Sequence, residues 1–275
     1  MTDARLTPAN GRVAASHLRG RVTADVFVGG ESASIGQVVV DLCVAPTGRR
    51  ERQLLLGAAV TVFERREGWA FVQGKSDGYV GYVPESALVK PNDTTHRVAT
   101  QATHAYATEN IKSPDLLHLP FGAEVTVVGE RHKFFETPHG FIPKKHLRPL
   151  AQLFADPATV AQFYFGAPYL WGGNSTRGVD CSGLVQAAYH ACGHLCAGDS
   201  DLQSDGLGRQ LESGENLLRG DLIFWDGHVA MMLDTDTMIH ANAHHMAVVY
   251  EGLAQATLRI KAQGDGDVTA RRRVL

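Results

Sequence analysis

The sequence predicts an α+β protein, with a β-rich first half and a second half in which helices precede a sheet. Three observations carry that prediction. First, LGAAVTVFERREGWAFV at 56–72 is echoed by FGAEVTVVGERHKFFET at 121–137. Each copy also ends alike, GYVPESALV at 81–89 against GFIPKKHLR at 140–148, so a unit of about sixty residues is duplicated. Second, Pro149 and Pro157 bracket a boundary, and Asp156-Pro157 reads as a capped helix start with proline in the first turn. Third, short apolar runs after Gly220 (LIFW, HVAMML, TMIHA, AVVYEG) are separated by Asp, Gly and Asn, as strands are.

Taken in order, residues 1–39 are weakly patterned and form an arm or an added strand. Residues 40–90 and 91–150 are the two copies. In the first, Val60 and Val62 alternate with Ala59 and Thr61 between glycines, which suits short half-buried strands closing into a small barrel. Residues 151–275 form the last domain. Its first helix is expected from about 157 to 165. A second begins at Cys181, with Leu184, Val185, Ala188 and Cys192 at helical spacing and Gly193 closing it.

Composition narrows the function. The chain has 275 residues, 44% hydrophobic and 20% charged, with a net charge of -3, so it is globular and lacks the basic field that holds nucleic acid. No window approaches the ~20 apolar residues of a bilayer-spanning helix, so no membrane partner is expected. The first thirty residues, with Asp3, Arg5, Arg12, Arg19, Arg21 and Asp25, contain no signal-peptide core, and a cytoplasmic protein is expected. Four cysteines, three of them at 181, 192 and 196, are too few for a disulfide scaffold.

Cys181 follows a Gly-rich loop and heads a helix. That position places sulfur at the positive end of the helix dipole, where free N–H groups favour a thiolate and can also receive an oxyanion. A cysteine nucleophile needs a base and a group that orients the base. His228 starts an apolar strand after a Gly turn, and His240 follows twelve residues later on the next strand. His244 and His245, in the turn beyond, are rivals for the third role. A zinc cluster of His190, Cys192, His194 and Cys196 is disfavoured, because alternate residues diverge around a helix. GGNSTRG lacks the lysine of a phosphate loop. No metal or cofactor is implied.

YLWGGNSTRGVDCSGLV at 169–185 strongly resembles the NlpC/P60 motif, in which an aromatic-Gly-Gly loop leads into Asp-Cys-Ser-Gly. The resemblance extends over about 157–275, with GDLIFWDGHVAMML similar to the strand bearing the base and MIHANAH to the strand bearing the third polar residue. It implies a papain-like catalytic domain with Cys181 as nucleophile, His228 as base, His240 as its orienter and Tyr169 beside the cysteine. Over about 40–149, the glycines, the Trp strand and the G-aromatic-V/I-P endings resemble tandem bacterial SH3 domains.

Together these resemblances imply a γ-D-glutamyl-L-diamino acid endopeptidase acting on murein peptides. With a cytoplasmic location, the expected role is recycling of released wall peptides. Asp199 and Ser200 resemble the acidic-serine pair that holds a free amino terminus, an L-Ala ammonium, with Ser182 near the same pocket. Trp171 lies in the substrate loop. Tyr79 resembles an aromatic that closes the pocket from the first SH3-like domain, and Glu51 a second charge there. Two alternatives remain open: a thiol amidase or acyltransferase on another acyl group, and a non-catalytic wall-peptide-binding module.

Overall fold

The computed structural model describes residues 3–212 and 214–274, which divide into two compact units, 1–150 and 151–275.

In the first unit, strands β1 (Glu31–Ile35), β2 (Val39–Cys43), β3 (Arg50–Leu55), β4 (Ala59–Arg66), β5 (Trp69–Gly74), β6 (Val80–Pro84) and β7 (Leu88–Val89) make one sheet. Its order is β3-β2-β6-β5-β4-β1-β7. The sheet therefore begins before residue 40. Val13–Ala15 pairs in parallel with Val26–Val28, and Ala15 with Leu18 of the turn that follows joins a small core with Phe63 and Phe71.

The second repeat contributes β8 (His96–Val98), β9 (Ala102–Tyr106), β10 (Asp115–Pro120), β11 (Glu124–Val125), β12 (Gly129–Glu130), β13 (Phe134–Thr137), β14 (Gly140–Pro143) and β15 (Leu147–Pro149). These form sheets ordered β11-β8-β15 and β10-β9-β14-β13-β12.

The two similar segments share a set of backbone hydrogen bonds. Ile35 N–H donates to Ala58, Gly57 to Ile35 and Gly36 to Ala87, at 2.9, 2.9 and 2.8 Å. In the second copy Val98 donates to Ala123, Gly122 to Val98 and Ala99 to His146, at 2.9, 3.0 and 2.8 Å. Pro84 and Pro143 each lead into a single 3-10 turn, Glu85–Ala87 and Lys144–His146. In this pattern Ile35 of β1 and Val98 of β8 make matching bonds, so β1, upstream of the segment where sequence similarity is evident, is placed in the first copy as β8 is in the second.

In the second unit, β16 (Arg209–Gln210), β17 (Leu222–Trp225), β18 (His228–Met232), β19 (Thr237–Asn242), β20 (Ala247–Gly252) and β21 (Ala270–Arg273) form a sheet of order β16-β21-β17-β18-β19-β20. Helices α1 (Pro157–Gln162) and α2 (Cys181–Ala191) pack together, and α2 lies against β18 and β19. Helix α3 (Ser200–Gly206) follows α2, and α4 (Leu253–Gln263) follows β20. Ile223, Trp225, Ala230, Met232 and Met238 share a core with Ala256 and Ile260 of α4. The alternate residues Leu222, Phe224, Val229 and Met231 are also buried. Both faces of the central strands are thus covered, which is why these runs read as continuous apolar stretches. Helix α1 ends at Gln162, a few residues before the expected stop, and Gly193 takes φ 85 just beyond α2.

Candidate active site

Asp180 is the N-cap of α2. Its carboxylate accepts from the Gly183 N–H at 2.7 Å, the Gly172 N–H at 2.8 Å and the Ser182 hydroxyl at 3.2 Å. This buried carboxylate therefore ties the Gly-rich loop to the first turn of the helix, and so fixes Cys181, the first helical residue. The neighbouring strand hairpin supplies the histidine. Asp226 and Gly227, the latter at φ 69, make a two-residue turn between β17 and β18, with Trp225 paired to His228. His228 is thereby the first residue of its strand.

The sulfur meets the backbone of the His228 hairpin at that turn. Cys181 Sγ lies 4.0 Å from the Gly227 carbonyl oxygen, and the Val229 N–H is also directed at the sulfur, so both backbone neighbours of His228 contact it. The expected thiolate is not what this environment favours. Burial, then the charge of Asp180, push the thiol up to about 12, against N–H groups of Val229, Ser182 and Cys181 itself. Burial likewise pushes His228 down, helped by His240 and Arg259. Both directions favour a neutral thiol and a neutral imidazole over the ion pair. The reason is that desolvation outweighs the dipole and hydrogen bonds at one helix end.

His228 Nε2 is 2.9 Å from His240 Nδ1. His240, fully buried on β19, reaches Glu251 Oε2 through Nε2 at 3.0 Å. Arg259 of α4 grips the same carboxylate, Nε to Oε1 at 3.0 Å and Nη2 to Oε2 at 2.7 Å. The rivals hydrogen-bond to other partners. The His245 amide donates to Asn242 Oδ1, and His244 Nδ1 bonds Gln263 Nε2. Glu251 and Arg259 escaped the sequence reading. In retrospect the strand pattern contained a signal, because Glu251 sits in the apolar run AVVYEG at a position diagonal to His240 across the β19–β20 pair.

Tyr169 pairs with Val179, and its N–H donates to the Met246 carbonyl. Burial, the largest cause, pushes its phenol up to about 12, so it remains a hydrogen-bond donor. It lines a pocket of about 210 Å³ together with Gly227, His228, Asn242 and Arg259. Trp171, on the loop before Cys181, is 49% exposed.

Ser182 directs its hydroxyl to Asp180. Asp199 is the N-cap residue of α3 and Ser200 its first helical residue. Fully buried Gln203 anchors that helix, with Nε2 bonded to the carbonyls of Ser182 at 2.9 Å and Ala197 at 2.8 Å. The turn bearing Asp199 is thus tied directly to the nucleophile's turn. Tyr79 and Glu51 belong to the first unit. Tyr79 is buried with the Arg52 guanidinium 5.1 Å from its ring, and Glu51 pairs with Arg49 at 2.8 Å. His190 bonds the Cys196 carbonyl at 3.1 Å.

Residues 166–261 match the NlpC/P60 family, and residues 42–88 match the bacterial dipeptidyl-peptidase Sh3 domain. Among similar proteins, the gamma-D-glutamyl-L-lysine dipeptidyl-peptidase of Bacillus cereus is 27% identical over 234 residues, 73% of this chain and 69% of that protein. Its namesake from Bacillus subtilis is 26% identical over 216 residues, 70% and 72% of the two chains. In fold, the chain is similar to the crystal structure of an NlpC/P60 family protein from Bacillus cereus. The TM-score is 0.76 at 22% identity, covering 89% of this chain and 100% of that one.

Proposed function

From the premise that this chain carries an NlpC/P60 cysteine-peptidase domain behind a bacterial SH3 domain, we propose that it hydrolyses the γ-D-glutamyl–diamino acid bond of free murein peptides beginning with L-Ala. The observation that carries the reading is Cys181 Sγ set against both backbone neighbours of His228, with His240 behind the imidazole. The names of the two Bacillus relatives support the bond cleaved.

In this reading the Cys181 thiol passes its proton to His228 as sulfur attacks the γ-carbonyl carbon. The carbonyl electrons move to oxygen, where the N–H of Cys181 and the Tyr169 hydroxyl stabilise them. The tetrahedral adduct collapses to a thioester while His228 protonates the departing amine. Water, deprotonated by His228, then releases the glutamyl carboxylate and restores the thiol. Asp199 and Ser200 hold the substrate's ammonium, with Ser182 and Trp171 shaping the same cleft. Tyr79 and Glu51 act as a specificity gate. We read two SH3-like barrels in the first unit, the first reaching back to Glu31–Ile35 and the second spanning 91–150, a reading supported by their shared hydrogen-bond pattern. The proposed role is recycling of wall peptides in the cytoplasm, which cell fractionation checks directly.

The deciding experiment is mass spectrometry of products from L-Ala-γ-D-Glu-L-Lys and its diaminopimelate counterpart, each free and N-acetylated. Release of L-Ala-D-Glu from the free peptides alone is the expected result. Equal cleavage of acetylated peptides would remove the amino-terminus requirement, and no cleavage of either would remove the substrate assignment.

A further inference from the structure

Resting on the peptidase reading above, we propose that Glu251 and Arg259 are positioning residues that set the tautomers of His228 and His240, so that His228 presents a bare Nδ1 to the Cys181 thiol. A neutral imidazole carries one N–H. His228 Nε2 and His240 Nδ1 share one hydrogen bond of 2.9 Å, so a single proton lies between the two rings. If His240 owns it, the proton of His228 sits on Nδ1 and no lone pair is left for the thiol. If His228 owns it, Nδ1 is bare and His240 must carry its own proton on Nε2.

What faces Nε2 of His240 decides between these arrangements. Glu251 Oε2 lies 3.0 Å away, and an ionised carboxylate only accepts. The Asn242 amide nitrogen, also 3.0 Å away, pulls the other way, since its N–H seeks a lone pair. Its orientation is fixed by Oδ1 accepting the His245 N–H at 2.8 Å. The carboxylate prevails. A bare Nε2 would set a lone pair against an anion, and an N–H donated to a carboxylate makes a bond roughly twice as strong as a neutral one.

Arg259 keeps the carboxylate charged. Burial raises the Glu251 carboxyl, but the hydrogen bonds and charge of Arg259, with His240, hold it below its ordinary range. During attack the thiol proton moves to His228 Nδ1, and the resulting imidazolium keeps its Nε2–H on His240. Glu251 takes no proton; its charge acts through His240. The ionisable groups around His240 are His228 on β18, Glu251 on β20, Arg259 on α4 and His245 in the β19–β20 turn.

The test uses the full chain labelled with 15N-histidine. Nitrogen NMR of the unaltered protein should find both His228 and His240 protonated on Nε2, and a proton on His240 Nδ1 would overturn the inference. In Glu251→Gln, kcat should fall by roughly tenfold or more, the margin between a charged and a neutral hydrogen bond, with KM held. Losing the anion makes His228 a weaker base, so the acid limb of kcat/KM should move to lower pH and iodoacetamide should alkylate Cys181 more slowly. Arg259→Lys should retain more of the alkylation rate than Arg259→Gln. An unmoved acid limb and an unchanged alkylation rate in a folded Glu251→Gln protein would also overturn it. The NMR and alkylation readouts use no murein peptide. Both effects in a protein inactive on such peptides would therefore discard the substrate assignment and leave this inference standing.

Discussion

Cys181 and His228 each sit where burial opposes charge, which favours the neutral form of both. Cys181→Ala should abolish hydrolysis with little change in melting temperature, because the side chain contributes reactivity more than packing; a substantial residual rate would end the thiol mechanism. Substituting the base should cost as much as losing the nucleophile, since the two act as a unit. His228→Ala should therefore lower kcat by ~10²–10⁴-fold, whereas His240→Ala leaves a measurable remainder, because an orienting ring only positions its neighbour. Steady-state kinetics on the three variants separates these cases.

The same burial predicts a pH dependence of stability. His228 and His240 are pushed down from 6.5 to about 3 and about 4, chiefly by desolvation. The folded state thus binds protons more weakly than the unfolded chain, so the stabilising contribution is complete above pH 6.5 and is lost as pH falls from there through about 4 for His240 and about 3 for His228. Thermal melts should show a falling midpoint across that window, and a shallower fall in His240→Gln. A flat profile in the unaltered protein would show that these rings are solvated.

At the scale of elements, repeat-equivalent glycines allow a controlled comparison. Gly57 and Gly122 take φ 85 and φ 84, a region that costs a side-chain-bearing residue about 1–2 kcal/mol. Their surroundings differ. A Cβ on Gly57 would lie 2.5 Å from the Glu124 carbonyl oxygen, while one on Gly122 would meet only Leu55 Cδ1 at 3.5 Å. Gly57→Ala should therefore lower the urea midpoint more than Gly122→Ala, and equal losses would show that the Glu124 contact gives way. On the catalytic side, Asp180→Ala leaves the Gly172 and Gly183 N–H groups without their acceptor and removes the cap of α2. A destabilisation of about 2 kcal/mol or more is expected, measurable by chemical unfolding.

For the whole molecule, the division at residue 150 has a functional consequence. The sheet, α1 to α4, the shared core of sheet and α4, and the chain from Cys181 to Arg259 all lie within 151–275. That segment expressed alone should fold, and a thiol probe should label Cys181 far faster than Cys192 or Cys196. If Tyr79 and Glu51 gate specificity, it should also lose its preference for free over acylated amino termini. Preserved preference in the isolated segment would assign selectivity to Asp199 and its neighbours. Asp199→Ala in the full chain would then be the damaging change.

The sequence alone determined what depends on local order: the duplicated unit, the capped helix starts, the loop leading into Asp-Cys-Ser-Gly and the Asp-Gly turn before His228. Each is a matter of residues within a few positions of one another, where chain geometry leaves few choices. Its resemblance to the NlpC/P60 motif also brought His228 and His240 forward together, as base and orienter. Only the tertiary structure decided the rest. Glu31–Ile35 joined the first sheet through pairing with β4 and β7, a partner choice that its own composition does not express. Glu251 and Arg259 came together because β20 returns past His240 and α4 then folds back over the strand's end. The neutral state of Cys181 likewise reflects desolvation, which sums over all neighbouring atoms in space and leaves no mark in any short stretch of sequence.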